Sequence, residues 1–97
     1  MIIKDIQDIR TGQTRVDDCY SRRIGCRGIL LYPPQPGTRM VFSYTTDNQG
    51  NQKSGCLVTS TITGFQESSR EIIVITLNSR YVLTKESVAE HVSCIFD

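Results

Sequence analysis

The sequence predicts a mainly β protein, with a small antiparallel barrel or strongly curled sheet of roughly four to six strands and a short terminal helix or helices. From residue 28 onward, apolar and β-branched segments recur about every eight to twelve residues. Clusters of Gly, Pro, Asn, Asp and Ser separate them, as in sheets with short connections. Closure into a barrel is favoured because it removes strand edges that would pair with other chains. The 97 residues contain no repeat or linker, so a single domain is predicted over residues 1–97.

The first ten residues predict a short amphipathic helix. Four isoleucines recur there at helical spacing, namely Ile2, Ile3, Ile6 and Ile9. Gly12 is available to end a helix. Because isoleucine is β-branched, a strand is the alternative. The polar segment 13–27 is predicted to be an exposed strand or a long functional loop.

The next two strands are indicated by their boundaries and by alternation. Residues 28–32 form a short apolar strand that ends at 33–37, where prolines remove amide donors and a glycine permits a turn. Residues 38–46 alternate between apolar and polar side chains, as in a strand with one buried face. The side chains predicted to share that face are Met40, Phe42 and Tyr44.

A solvent-facing hairpin loop is predicted over 47–55, since it is rich in Asp, Asn and Gly. The β-branched strand 56–65 follows, and Gly64 marks a bulge or bend within it. Residues 66–70 then turn the chain into another strand at 71–77.

A tight hairpin is predicted in the stretch ITLNSRYVL, with Asn78 and Ser79 as its two central residues, because Asn tolerates the positive φ of a type I′ turn. This register pairs Ile75 with Val82 and gives the ribbon two apolar faces. Ile73, Ile75 and Val82 share the second face, which is a candidate interface if the terminal helices leave it bare.

The C-terminal residues predict a closing helix over 85–96, with Thr84 as N-cap and apolar residues at helical spacing. A terminal strand at 92–96 is the alternative.

Composition predicts a soluble protein of the cytoplasm. The apolar fraction is 38%, the charged fraction 22% and the net charge +1. No apolar run reaches the roughly 18 residues of a membrane helix, and acids interrupt the segment where an export signal would lie. A protein whose main task is to neutralise a phosphate backbone is disfavoured by the near-zero charge.

The four cysteines are predicted to be mostly buried and reduced. Disulfides are one alternative. A zinc site assembled from Cys19, Cys26, His91 and Cys94 is another, although the spacing between these residues is loose for a tetrahedral site. No catalytic pair, phosphate-binding loop or metal-binding loop is found, so we predict a protein that is not an enzyme and uses no cofactor or metal.

The candidate partner-binding residues lie between residues 20 and 32, where arginines and tyrosines occur without acids. Arginine and aromatic side chains supply most of the binding energy at protein interfaces. The residues predicted to contact a partner are Tyr20, Arg22, Arg23, Arg27 and Tyr32. The alternative is a nucleic-acid or nucleotide site, in which the three arginines hold phosphates and a tyrosine stacks a base.

The dipeptide TS at 59–60, followed by TxNSxYxL at 76–83, resembles a pattern in small bacterial and bacteriophage proteins with an SH3-like barrel. The resemblance covers residues 28–84. It implies an SH3-like barrel and a phage or mobile-element origin, and it carries over no catalytic residue. It further implies a binding module that modulates or inhibits a host protein, such as a defence component. A homo-oligomer is also compatible with the apolar hairpin.

Overall fold

The computed structural model describes residues 1–85, which form a closed barrel of six antiparallel strands and confirm the predicted fold class. The elements run in the order β1 (Ile2–Asp8), α1 (Asp18–Ser21), β2 (Arg27–Leu30), β3 (Arg39–Thr46), β4 (Cys56–Glu67), β5 (Glu71–Thr76) and β6 (Ser79–Thr84). Each strand pairs with its neighbours along the chain, and β1 closes the ring by pairing with β6. The predicted closing helix lies outside the described residues.

The N-terminal helix prediction is wrong, because this segment is strand β1. The register of β1 against β6 shifts between Ile3 and Asp5, which is a β-bulge. The extra residue interrupts alternation, so Ile3 and Ile6 both point into the barrel and are fully buried. A bulge in a strand therefore produces the three-residue spacing that resembled a helix.

The segment from β1 to β2 is a loop that contains the single turn of helix α1. Three backbone hydrogen bonds fasten its end to the start of β1 across a short seam: Ile3 N–H to Cys26 O, Gly25 N–H to Ile3 O and Gly28 N–H to Met1 O. The two strands share only one directly opposed pair, Ile2 with Arg27. Loop contacts therefore contribute to closing the barrel here.

Strands β2 to β4 have one face in the core and one face in solvent. Met40 and Phe42 are buried, and Tyr44 packs against the core from a half-buried position, as alternation predicts. The Phe42 and Tyr44 rings meet edge to face at a centroid distance of 5.7 Å. Gly28 lets β2 approach β3 closely, since an added Cβ would collide with the Ser43 carbonyl oxygen.

The bulge predicted in β4 is present, since the β4–β5 register shifts between Ile62 and Gly64. The hairpin that follows has the predicted faces but a different turn. Ile75 lies opposite Arg80, whereas a two-residue turn would place it opposite Val82. The predicted register was wrong by two residues, and because a shift of two preserves the side-chain alternation, the inward residues stay inward.

The turn between β5 and β6 spans residues 76–79 and is closed by a threonine. Thr76 Oγ1 accepts a hydrogen bond from the Ser79 N–H and donates one to the Ser79 carbonyl, both at 3.1 Å. Among residues 1–85, positive φ angles occur only at glycines, so Asn78 does not adopt the predicted type I′ conformation. Hydrogen bonds of the buried side chain of Thr76 therefore close this turn, in place of the predicted type I′ backbone conformation.

The core is a single cluster inside the ring. It contains Ile3, Ile6, Cys26, Met40, Phe42, Leu57, Ile62, Ile72, Val74, Tyr81 and Leu83.

Candidate functional site

The predicted partner-binding residues do not form one site. Arg22 and Arg23 line a cavity at the side of the barrel, and Tyr32 lines a groove between the segment after β2 and the outer face of β3 and β4. Arg27 is exposed on β2 and lines neither. Tyr20 is half-buried and packs against the core.

The Tyr20 ring contacts two guanidinium groups. Arg15 lies over its ring at 4.6 Å from the centroid, and Arg23 lies at 5.3 Å. Such cation–π contacts fix both the ring and the cations. A tyrosine ring that contacts two cations in this way cannot stack a nucleobase without losing at least one of these contacts, so its structural role opposes the nucleotide alternative.

Arg15 is a residue of this cluster that no sequence pattern indicates. Its Nε donates to Ser79 Oγ at 2.9 Å and its Nη2 donates to the Asn78 carbonyl at 2.6 Å. Nη1 lies 3.6 Å from an Asp8 carboxylate oxygen. The Asn78–Ser79 turn is therefore hydrogen-bonded to a loop residue that lies 63 and 64 positions earlier in the chain. No local sequence pattern could have predicted this contact.

Asp8, the acid beside Arg15, is stabilised in its charged form. The Arg10 and Thr11 backbone N–H groups donate to Asp8, and Arg15 adds a favourable charge. Together these contacts lower the pKa of Asp8, with the Arg10 amide as the largest cause. By contrast, burial raises the pKa of Tyr81, which stays neutral beneath the turn.

A basic pocket of about 560 Å³ opens between the α1 loop, β3 and β4. The residues that line it are Cys19, Arg22, Arg23, Tyr44, Lys53, Cys56, Leu57 and Val58. Lys53 lies over the Tyr44 ring at 4.8 Å. Burial raises the pKa of the Tyr44 hydroxyl, and the positive charge of Arg23 partly opposes this rise. The pocket therefore presents three cations to a ligand.

An apolar groove of about 510 Å³ lies between the segment that follows β2 and the outer face of β3 and β4. Tyr32, Pro33, Val41 and Val58 provide most of its walls, and Arg39 provides a charge. The set of exposed apolar side chains on this face consists of Ile29 at 55%, Leu31 at 45%, Tyr32 at 65% and Val58 at 53% exposure. We call this surface the open face.

The open face is continuous across three strands. The Leu31 N–H donates to the Val41 carbonyl, and Val41 lies directly opposite Val58 on β4. Neighbouring strands are about 4.8 Å apart, so these three side chains form one row.

The hairpin face proposed from the sequence as an interface is less accessible. Val82 is buried, and Ile73 and Ile75 are half-buried. Ile73 lies opposite Val82, as one apolar pair in the sheet. Their use as an interface stays a prediction.

Cys26 is buried, as expected, but Cys19 and Cys56 are exposed, which corrects the expectation that the cysteines lie mostly in the core. Cys26 Sγ donates to the Arg22 carbonyl at 3.2 Å, and burial raises the pKa of this thiol. All three are free thiols. Within residues 1–85, no group of three or more His, Cys, Asp or Glu side chains could hold a metal ion, and the other members of the suggested zinc set lie outside this range.

Comparison of the chain with protein-family models, curated proteins and solved structures yields no match. In the part of the chain that the structure describes, no helix has the length and apolar character needed to cross a membrane.

Proposed function

We propose that the protein is a non-enzymatic binding module that docks a protein partner on its open face. The observation that carries this proposal is the row formed by exposed Leu31 just after β2, half-buried Val41 on β3 and exposed Val58 on β4, next to a groove with a tyrosine and a proline. Contiguous exposed apolar surface of this kind is typical of interaction sites. Tyrosine supplies a large contact area at a small cost in side-chain entropy.

The chemistry of the partner follows from the charge at the groove. Among residues 1–85, Arg39 is the charged side chain in the groove lining, and no carboxylate of these residues lines it. A complementary surface therefore presents apolar side chains with an Asp or Glu beside them, and the guanidinium of Arg39 binds that carboxylate. A second copy of this chain fits less well, because a two-fold contact through this face would bring two Arg39 side chains together.

The resemblance to small phage barrels suggests where to find this partner. It supports a host protein, such as a defence component, as the partner class, with inhibition or modulation as the consequence of binding. A partner of this class implies that the protein acts in the cytoplasm of the host cell.

The experiment is a comparative affinity capture from host cells, using wild type, Val58→Asp and Val16→Asp. Val16 is 83% exposed and lies off the open face, so its variant matches the change in polarity without altering the groove. We expect a protein that wild type and Val16→Asp capture equally, and that Val58→Asp captures at least about tenfold less. Thermal unfolding curves of all three variants check that each is folded.

The captured protein is then purified and titrated calorimetrically with Leu31→Asp and Arg39→Glu. Both are expected to weaken binding, and the Arg39→Glu effect is expected to shrink as salt is added. Equal binding by Val58→Asp and wild type would overturn the proposal. So would a nuclease-sensitive capture, or light scattering that shows wild type as a dimer and Val58→Asp as a monomer.

A further inference from the structure

We propose that the basic pocket binds a short chain of phosphates, and that it recognises the charge of the phosphates rather than a base. This site is separate from the groove of the open face, although Val58 lies at the border of both. The proposal is independent of the protein partner, since it rests on other residues and another ligand chemistry.

The cations of the pocket lack carboxylate partners among residues 1–85. The ion pairs of that part of the chain use Lys4, Arg15 and Lys85, and none uses Arg22, Arg23 or Lys53. No Asp or Glu of the described residues lines the pocket. Like charges gathered in one cavity repel each other, so an anion that binds among them is stabilised by all three.

Asp47 lies on the loop that carries Lys53, and its carboxylate is already hydrogen-bonded within its own turn. Its Oδ1 accepts the Gln49 and Asn51 backbone N–H groups at 2.8 and 2.9 Å. These amides are the main reason that the pKa of Asp47 is lowered, and Lys53 contributes less. Asp47 therefore shapes the loop that carries Lys53 and leaves the pocket positive.

Two of the cations are positioned before any ligand binds. The Arg23 guanidinium lies against the Tyr20 ring, and the Lys53 ammonium lies over the Tyr44 ring. Arg22 is exposed at the end of α1, where its side chain can close over an anion. Guanidinium groups bind phosphate oxygens in pairs, and a preorganised cation loses little entropy when it does so.

The aromatic groups of the pocket favour phosphate over base recognition. The face of Tyr44 is occupied by Lys53, and its ring also packs edge to face with Phe42. Base recognition by small barrels uses an open aromatic face. A phosphate monoester carries about −1.5 to −2 charge, so two linked phosphates come close to balancing three cations. A volume of about 560 Å³ accommodates such a ligand.

The probe is sodium pyrophosphate, titrated at low salt by calorimetry into the full chain. We expect pyrophosphate and ADP to bind with affinities within about threefold of each other, AMP to bind more weakly, and adenosine not to bind. ADP and CDP are expected to bind equally. Arg22→Gln and Arg23→Gln should each weaken pyrophosphate binding at least about tenfold. Arg80→Gln, on an exposed residue of β6 outside the pocket, should leave it unchanged.

The exposed thiols provide a second readout that reports the location of binding. Cys19 and Cys56 line the pocket, and Cys26 is buried elsewhere in the barrel. Saturating pyrophosphate should slow alkylation of Cys19 and Cys56 by neutral iodoacetamide, while sodium chloride at equal ionic strength should not. Peptide mass spectrometry separates the sites, and buried Cys26 is the internal control.

Each of three results would overturn the proposal: no pyrophosphate binding at low salt, unchanged binding by Arg22→Gln and Arg23→Gln, or unprotected Cys19 and Cys56 at saturation. A strong preference for ADP over both pyrophosphate and CDP would contradict recognition by charge. A melting temperature of each arginine variant equal to that of wild type excludes loss of the fold as the cause of weaker pyrophosphate binding.

Discussion

The open face and the β5–β6 hairpin are built from the same kinds of residue and end in opposite environments. Val58 on the open face is 53% exposed, whereas Val82 at the centre of the hairpin is 9% exposed. Val82 lies between two strands, opposite Asp5 on β1 and Ile73 on β5. The comparison teaches that an apolar strand residue does not by itself indicate whether it faces a core or a partner.

The two regions also differ at their ends. The hairpin turn is tied to the rest of the barrel by Arg15, whose side chain is 17% exposed. The open face ends at the proline-rich segment after β2, which leaves Tyr32 in solvent. The hairpin is therefore expected to contribute stability and the open face to contribute binding.

The strongest test of this division is a pair of leucine substitutions. Leu83 in the hairpin is fully buried, and Leu31 on the open face is 45% exposed. Leu83→Ala is expected to cost about 2–5 kcal/mol of unfolding free energy, because it leaves a cavity in the core. Leu31→Ala is expected to change stability by less than about 0.5 kcal/mol. Chemical denaturation measures both, and similar losses would break the comparison.

The next largest effect is expected at the tie between the loop and the hairpin turn. Arg15→Ala removes the hydrogen bonds to Ser79 and Asn78, and it should cost about 1.5–3 kcal/mol. Arg10→Ala, on an exposed residue of the same loop, is the matched control. Amide hydrogen exchange should increase across residues 9–26 in Arg15→Ala alone. Unchanged exchange there would show that the loop does not depend on Arg15.

A smaller effect on stability is expected from a valine substitution in each region, at Val82 in the hairpin and at Val58 on the open face. Val82→Ala should cost about 1.5 kcal/mol, since it removes two methyl groups from a buried position. Val58→Ala should be close to neutral in stability and should weaken binding of the protein partner. A loss of stability at Val58 equal to that at Val82 would mean that the open face is covered in the free protein.

The smallest expected effect is a dependence of stability on pH, which involves one carboxylate near the hairpin and one near the basic pocket. The pKa values of Asp8 near the hairpin and Asp47 near the basic pocket are both lowered in the folded state, mainly by backbone N–H groups. Their stabilising contribution is therefore present above the unfolded pKa of about 3.9, and is lost as pH falls through the folded pKa. Melting temperatures of wild type, Asp8→Asn and Asp47→Asn should differ at pH 7 and converge once the pH has fallen below the folded-state pKa values of the two carboxyl groups. Differences that persist in strong acid would assign the effect to something other than these charges.

The sequence determined the fold class and most of the inward-facing positions. Alternation in β3 correctly placed Met40 and Phe42 inside, and glycine correctly marked the bulge of β4. These features follow from local chemistry, since strand geometry alternates side chains every residue and glycine tolerates irregular backbone. The inward side of β5 and β6 was also predictable, even though the register was wrong.

Only the tertiary structure decided which outer face stays open and which groups meet. The bulge in β1 depends on pairing with β6, so the isoleucine spacing alone resembled a helix. The contact of Arg15 with Ser79 spans 64 residues, and the basic pocket joins the α1 loop to Lys53 and Cys56. Such juxtapositions depend on how the ring closes. A local pattern cannot encode them, because the interacting groups come from distant parts of the chain.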